Sequence, residues 1–432
     1  MKKLISNTIE LVLSLIKTIY YIKGRVSEKK TVLFVPHSGM CRVDLYDIIN
    51  YKSDSALSFL HYLLENNLMG NKTLLVATRD DADHLRYTEY VSKYYPNHIV
   101  KFVPLFANRE YSRFGKLMRY IEYCRTVSIC SHIFSSITQD FSGLISNQIV
   151  VDLNYFTCAM KNDILDKSSP HYMGVEKVGH EYSYILGTSE IAIRLTMPEM
   201  TVPYKRYVNL GLCRNDNVLN GDRCDWLRDE IVRRVSYDVK KIVLYTPTHR
   251  DYETGLTAED KRSVLGFKYN PDDFEQFLKV YGIVFICKLH PKQNAQVVEN
   301  ELPEGLILHK PDERYGLTEL MQVSDALVTD YTSVYFDYLL LDKPIIFNFY
   351  DLDVYKRERG VPCEPMSAIA AGEIVENEEG MKKALLNLDA NRNEFSLKRK
   401  FVRDLFFTKQ DTNTCKRVYE FIFERHEVPG KI

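Results

Sequence analysis

Residues Ser324 to Asp351 read SDALVTDYTSVYFDYLLLDKPIIFNFYD, and this stretch decides the fold class. Ala326–Thr329 is a short apolar run, the pattern of a strand buried on both faces. It leads into Asp330, Tyr331, Thr332 and Ser333, and a helical pattern starts at once. Pro344–Phe349 is the next apolar strand. Hydroxyls at a helix start cap its free N–H groups, where the helix dipole places partial positive charge. Such a start is a ready site for a phosphate or pyrophosphate. It is also the ordinary cap of a core helix.

The same alternation runs through the whole chain. Strands are expected at Thr31–Pro36, Thr73–Ala77, Val100–Pro104, Val127–Phe134, Gln148–Leu153, Tyr184–Gly187 and Tyr207–Gly211. A second series follows at Lys241–Tyr245, Ile283–Leu289, Leu306–Leu308, Ala326–Thr329 and Pro344–Phe349. Helical stretches fit between them, for example Ala56–Asn66, Ser112–Cys124, Asp272–Tyr281 and Tyr315–Val323. Strands alternating with helices predict parallel sheets covered on both faces. The expected fold is α/β and GT-B-like, with two Rossmann-like domains facing across a cleft and an amphipathic N-terminal helix. Expected bounds are 1–23 for that helix, 24–217 and 218–405 for the two domains, and 406–432 for a C-terminal helix. The junction falls near 217–239, in a polar stretch carrying Asn217, Asn220, Gly221 and Asp222. No GxGxxG or Walker A pattern occurs, so a dinucleotide or P-loop enzyme lacks its usual warrant.

Composition narrows the class further. A chain of 432 residues with 45% apolar and 27% charged residues buries ample core and folds as a soluble protein. A net charge of −1 gives no sign of a nucleic-acid partner. Nine cysteines without a CxxC pair predict free, buried thiols and no metal site. No cofactor is expected. Between Lys2 and Arg25, Ile5, Ile9, Val12, Ile16 and Tyr20 recur at helical steps. Residues 1–30 hold seven Lys or Arg against two acids, a net of +5. A basic amphipathic helix suits an anionic membrane surface and equally suits packing on its own domain. Glu10 and Lys17 interrupt the apolar run, which excludes a spanning helix of the usual ~20 apolar residues.

Four ordered blocks carry a resemblance. The Ser324–Asp351 stretch resembles the signature of the CDP-glycerol glycerophosphotransferase family, the teichoic-acid primases and polymerases. Asp330, Tyr331, Ser333, Phe336, Asp337, Pro344, Tyr350 and Asp351 match, with Thr332 in place of a Ser. LYTPTHRD (Leu244–Asp251), KLHP (Lys288–Pro291) and GLCRND (Gly211–Asp216) are similar to further family blocks. The resemblance implies transfer of glycerol phosphate, or a related polyol phosphate, from CDP-glycerol or another CDP-polyol. The acceptor it implies is a lipid-linked, teichoic-acid-like or capsular glycan. It also implies a peripheral protein at the cytoplasmic face of the membrane.

Ligands of open α/β sheets bind beyond the C-terminal ends of strands, and each block falls at such an end. The expected donor site is Thr246, Thr248, Arg250, Lys288, His290, Asp330, Thr332, Ser333 and Asp337. His290 is the expected catalytic donor to the leaving group; a loop-holding role is the alternative. The family's Trp-His-Gly motif is absent from its matching place, Val150–Asp163. Asp152, His37, His171 and His180 are the substitutes considered for the acceptor-side base, with Asp152 foremost. Two other functions remain open on the residues: a GT-B glycosyltransferase using a nucleotide sugar, and a catalytically weak scaffold of a surface-polymer complex.

Overall fold

A computed structural model describes residues 2–26, 30–36, 51–78, 81–104, 112–136, 141, 144–145, 147–153, 181–200, 202–221, 224–248, 250, 264–289, 302–310, 315–361 and 363–424. The first strands are β1 (Thr31–Val35), β2 (Thr73–Thr78), β3 (Ile99–Pro104), β4 (Cys130–Ser135), β5 (Ile149–Asp152), β6 (Tyr184–Gly187) and β7 (Tyr207–Asn209). Their helices are α1 (Lys2–Val26), α2 (Ser55–Glu65), α3 (Asp81–Tyr94), α4 (Arg113–Ile129), α5 (Glu190–Met200) and α6 (Cys213–Leu219). The second strand set is β8 (Lys241–Thr246), β9 (Ile283–Cys287), β10 (Leu306–Leu308), β11 (Ala326–Thr329), β12 (Ile345–Asn348) and β13 (Glu373–Val375). Its helices are α7 (Asp225–Val232), α8 (Pro271–Tyr281), α9 (Leu317–Val323), α10 (Val334–Leu339), α11 (Leu352–Arg359), α12 (Glu378–Leu386), α13 (Leu388–Glu394), α14 (Ser396–Phe406) and α15 (Thr414–Tyr419).

Two parallel sheets result, in the order β3-β2-β1-β4-β5-β6-β7 and β10-β9-β8-β11-β12-β13. This is the expected α/β, GT-B-like arrangement. Both sheets are built the same way. The chain walks outward from a central strand, then returns to its other side, so the order reverses between β1 and β4 and again between β8 and β11. Successive side chains on a strand point to opposite faces, and both faces are covered. Val32 and Phe34 enter one apolar cluster, while Leu33 and Val35 enter another. Ile242 and Leu244 are likewise separated from Val243 and Tyr245. Such strands read as unbroken apolar runs, which is why the sequence discloses them.

Strand β13 lies outside the expected strands, β7 and β9 end two residues early, and two boundaries depart further from expectation. The strand expected from Val127 begins at Cys130, because α4 continues to Ile129. Cys124 and Val127 bury the last turns of that helix against the sheet, so helix and strand share one apolar run. The helical C-terminal stretch also divides. After α14 the chain breaks, and α15 returns to the first sheet, where Cys415, Val418 and Ile422 join its core. Asp216 holds that return by accepting the Thr414 and Cys415 amides at 2.9 and 2.8 Å. Gly211 makes the approach possible. Its φ is +99°, and a Cβ there would lie 2.8 Å from the Thr414 hydroxyl. Cys124, Cys130, Cys213, Cys224, Cys287, Cys363 and Cys415 are unbridged, and all except Cys363 are buried.

Helix α1 packs on α4, with Ile16 and Tyr20 turned toward the first sheet's core. Gly24 allows a close crossing, since a Cβ there would meet the Ser128 carbonyl at 3.0 Å. Val12, expected on the same face as Ile16, is instead exposed along with Leu15, Ile19 and Ile22. The side chains of Ile5 and Ile9 lie outside the described residues. No helix among the described residues is long and apolar enough to cross a membrane.

Candidate active site

The reversal between β8 and β11 places their C-terminal ends side by side. In open α/β sheets this is where ligands bind. Thr246 and Thr329 are in register there. Their hydroxyls lie 3.3 Å apart, and the Thr329 hydroxyl donates to the Thr246 carbonyl at 3.0 Å. Strand β9, on the other side of β8, ends one residue before Lys288. Three of the sequence blocks therefore converge on three neighbouring strands.

Their side chains divide into two groups. In the first, every charge is engaged inside the protein. Asp330 is 1% exposed. It accepts the Thr248 amide at 2.8 Å, the Thr248 hydroxyl at 2.7 Å and its neighbour Tyr331 amide at 2.6 Å. Arg250 completes it, donating from Nη1 at 2.6 Å. The same guanidinium makes a bidentate pair with Asp351, Nε and Nη2 lying 2.8 and 3.0 Å from its oxygens. Tyr331, Tyr350 and Tyr355 present ring faces to the cation at 5.2, 5.3 and 5.5 Å. Burial opposes the cation, but Asp330, Tyr350 and Asp351 together outweigh it and raise the Arg250 pKa. Asp337 is engaged as well, by Arg214 and Asn215.

The second group is open. The Lys288 ammonium, half-buried, makes no side-chain hydrogen bond among the described residues, and its amide donates to the Tyr245 carbonyl at 2.9 Å. Ser333 starts α10 without a capping bond from its side chain. Thr332 receives the Val334 amide only at 3.5 Å, the outer limit of a hydrogen bond. The two hydroxyls are therefore not absorbed by capping, although the sequence allowed that. An ammonium beyond β9 and two hydroxyls beyond β11, the strands on either side of β8, are a donor set for phosphate oxygens.

His309 was not singled out from sequence, and it lies next to this group at the end of β10. Its Nε2 bonds the Tyr315 carbonyl at 2.9 Å. Burial, then the charges of Lys288 and Arg234, push its pKa down to about 3. It is a neutral, internally bonded histidine. On the first sheet, Asp152 ends β5, 3% exposed and in register with Ser135 of β4. His290, His37, His171 and His180 lie outside the described residues, as does 154–180, which holds most of the stretch where a Trp-His-Gly motif was sought. No cluster of three potential metal ligands occurs among the described residues.

Comparison with known proteins gives the chain its relatives. The sequence profile of the CDP-glycerol:poly(glycerophosphate) glycerophosphotransferase family matches residues 137–424, more than half of the chain. The teichoic acid glycerol-phosphate transferase of Staphylococcus aureus is 26% identical over 253 residues, 58% of this chain and 63% of that protein. The teichoic acid glycerol-phosphate primase of Bacillus spizizenii is 35% identical over 122 residues, 28% of this chain and 29% of that one. The matches thus span less than two thirds of the length of these curated relatives. In fold, the chain is similar to the wall teichoic acid polymerase TagF, with a TM-score of 0.70 at 20% identity. That likeness covers 97% of this chain and 95% of TagF's.

The Arg250 cluster makes a direct prediction. Arg250→Met leaves two buried carboxylates without their cation, which costs about 3–5 kcal/mol. Urea unfolding of the variant is expected to show a loss of that size. A loss below about 1 kcal/mol, typical of an exposed cation, would instead make Arg250 a ligand-facing residue.

Proposed function

This chain belongs to the CDP-glycerol:poly(glycerophosphate) glycerophosphotransferase family, and we propose that it transfers glycerol phosphate, or a related polyol phosphate, from a CDP-activated donor to a teichoic-acid-like or capsular glycan, releasing CMP. One observation carries the reading. Among the described residues, Lys288 beyond β9 and Thr332 and Ser333 beyond β11 stay open, while Arg250, Asp330 and Asp351 engage one another. In this reading the donor's two phosphates rest on those three side chains, within the 218–405 unit. Thr246, Thr248, Arg250, Asp330 and Asp351 hold the loops that present them.

The reaction needs mainly positioning and charge neutralisation. An acceptor hydroxyl attacks the β-phosphorus of CDP-glycerol. The new O–P bond forms as the bridging P–O bond breaks, and CMP leaves with the bonding pair. His290 follows Leu289 directly beyond β9, so it is assigned the proton or hydrogen bond that stabilises the departing CMP. Asp152, at the end of β5 in the 24–217 unit, is assigned the proton of the acceptor hydroxyl.

Calorimetry with CDP-glycerol, CDP-ribitol and UDP-glucose tests the donor. A CDP-polyol is expected to bind, with Lys288→Ala and Ser333→Ala weakening it. Binding of the UDP-sugar alone would make the protein a glycosyltransferase instead. Donor binding without turnover on any glycerol-phosphate or glycan acceptor would favour the scaffold reading.

The two catalytic assignments separate kinetically. His290→Ala is expected to lower turnover about a hundredfold or more, the usual scale for a positioned acid. Asp152→Asn is expected to lower turnover at saturating donor while leaving donor affinity intact. Wild-type turnover in either variant removes that residue from the mechanism.

We further propose that α1 is a peripheral anchor on an anionic membrane, at the cytoplasmic face where a lipid-linked acceptor is reached. Val12, Leu15, Ile19 and Ile22 form an exposed apolar stripe at steps of three and four. Phe114, 71% exposed, and Met118 add to it from α4, on which α1 packs. Lys23, Arg25 and Lys116 are exposed on the same two helices. Leu15→Asp with Ile19→Asp is expected to abolish sedimentation with anionic vesicles without lowering the melting temperature. Raising salt is expected to weaken wild-type binding. Sedimentation unchanged by either treatment would leave α1 a purely intramolecular element.

A further inference from the structure

Asp337 stands in the signature stretch, one helical turn after Ser333, yet both of its oxygens face the other sheet's unit. Arg214 donates from Nε to Oδ2 at 3.0 Å and from Nη2 to Oδ1 at 3.4 Å. Asn215 donates to Oδ1 at 2.8 Å. Arg214, Asn215 and Asp337 are 6, 5 and 5% exposed. Arg214 and Asn215 lie in the first turn of α6, just past the end of β7 in the first sheet. Asp337 lies in α10, just past the end of β11 in the second.

A charge pair this deep carries a large desolvation cost, and apolar residues of similar volume often stabilise as well or better. What such a pair does supply is registry, because charge and three donors are satisfied in one relative position only. The surrounding contacts are neutral or more exposed. Gln322 of α9 donates to the Asn217 carbonyl at 2.8 Å, and the Lys52–Glu319 pair stands at 3.5 Å with Lys52 31% exposed. Helix α10 is only six residues long and begins directly at Thr332 and Ser333. A pull on Asp337 is therefore transmitted within about one turn to both hydroxyls.

We infer that Arg214 and Asn215 are positioning residues, which through Asp337 fix the start of α10 against the first sheet's unit and so tie donor binding to the closed arrangement of the two units. Asp337 then acts through its inter-unit bonds and does not touch the donor. The inference deepens the donor reading above and rests on it for its ligand arm.

Arg214→Gln, Asp337→Asn and the double variant test it. The double variant replaces the ion pair by two neutral amides of similar shape, so it keeps the fold measurable even where a single variant, left with an unpaired buried charge, does not fold. Two readouts are taken: donor KM and Kd with CDP-glycerol, and the radius of gyration from small-angle scattering without ligand. Each foldable variant is expected to raise donor KM and Kd tenfold or more, with kcat at saturating donor changing less than threefold. The radius of gyration is expected to increase. The double variant is expected to be no worse than the more impaired single one, because all remove one shared contact. Wild-type affinity and radius in the double variant, or penalties that multiply, would overturn the inference. If the wild type fails to bind CDP-glycerol, the donor reading falls by itself. The scattering then decides the coupling: an increased radius supports it and an unchanged one overturns it.

Discussion

The buried guanidinium of Arg250 is the interaction that ties together the residues beyond β8, β11 and β12. Two carboxylates from different strand ends, Asp330 after β11 and Asp351 after β12, share it at 2.6 and 2.8 Å. Removing the cation would leave two buried carboxylates uncompensated, which is strongly destabilising. The cation makes both tenable, and Asp330 then has acceptor capacity left for the amide and hydroxyl of Thr248. Thr248 and Arg250 beyond β8 are thereby tied to Asp330 beyond β11. Stacked Tyr331 and Tyr355, with ring centroids 3.6 Å apart, close this cluster from below. A phosphate ligand at this place meets preorganised side chains, which is what electrostatic catalysis requires.

A second consequence concerns the family signature. A motif rich in Asp, Arg, Thr and Ser reads as a ligand array. Here most of its charges hold one another. Arg250, Asp330, Asp337 and Asp351 all find partners within the protein, and among the described members Lys288, Thr332 and Ser333 are the ones not tied up in this way. The acidic members have a physical reason to be turned inward, because a carboxylate directed at a diphosphate repels it. The two units are joined in the same manner. The GLCRND block lies in one and the signature helix in the other, and Arg214 meets Asp337 where they touch.

Most of the fold was legible. Strands such as β8 and β11 are unbroken apolar runs because both faces are covered, and they appear at the expected places. Where the reading slipped, one apolar run served two elements, as at the join of α4 and β4, where Val127 belongs to the helix. The N-terminal helix shows a related ambiguity. Its apolar residues serve two faces, Ile16 and Tyr20 inward and Leu15, Ile19 and Ile22 outward, and a single periodic stripe does not reveal the division.

By itself the sequence determined the alternation of strands and helices, the parallel sheets, and which blocks stand at strand ends. These follow from apolar runs and turn chemistry, and both act between near neighbours. Only the tertiary structure decided which polar residues face a ligand and which face each other. Arg250 meets Asp330 across 80 positions and Asp351 across 101, and Arg214 meets Asp337 across 123. Pairing over such distances is set by strand order and by the crossing of the chain between its two sheets. A charged side chain carries no local mark of the partner that the fold will bring to it.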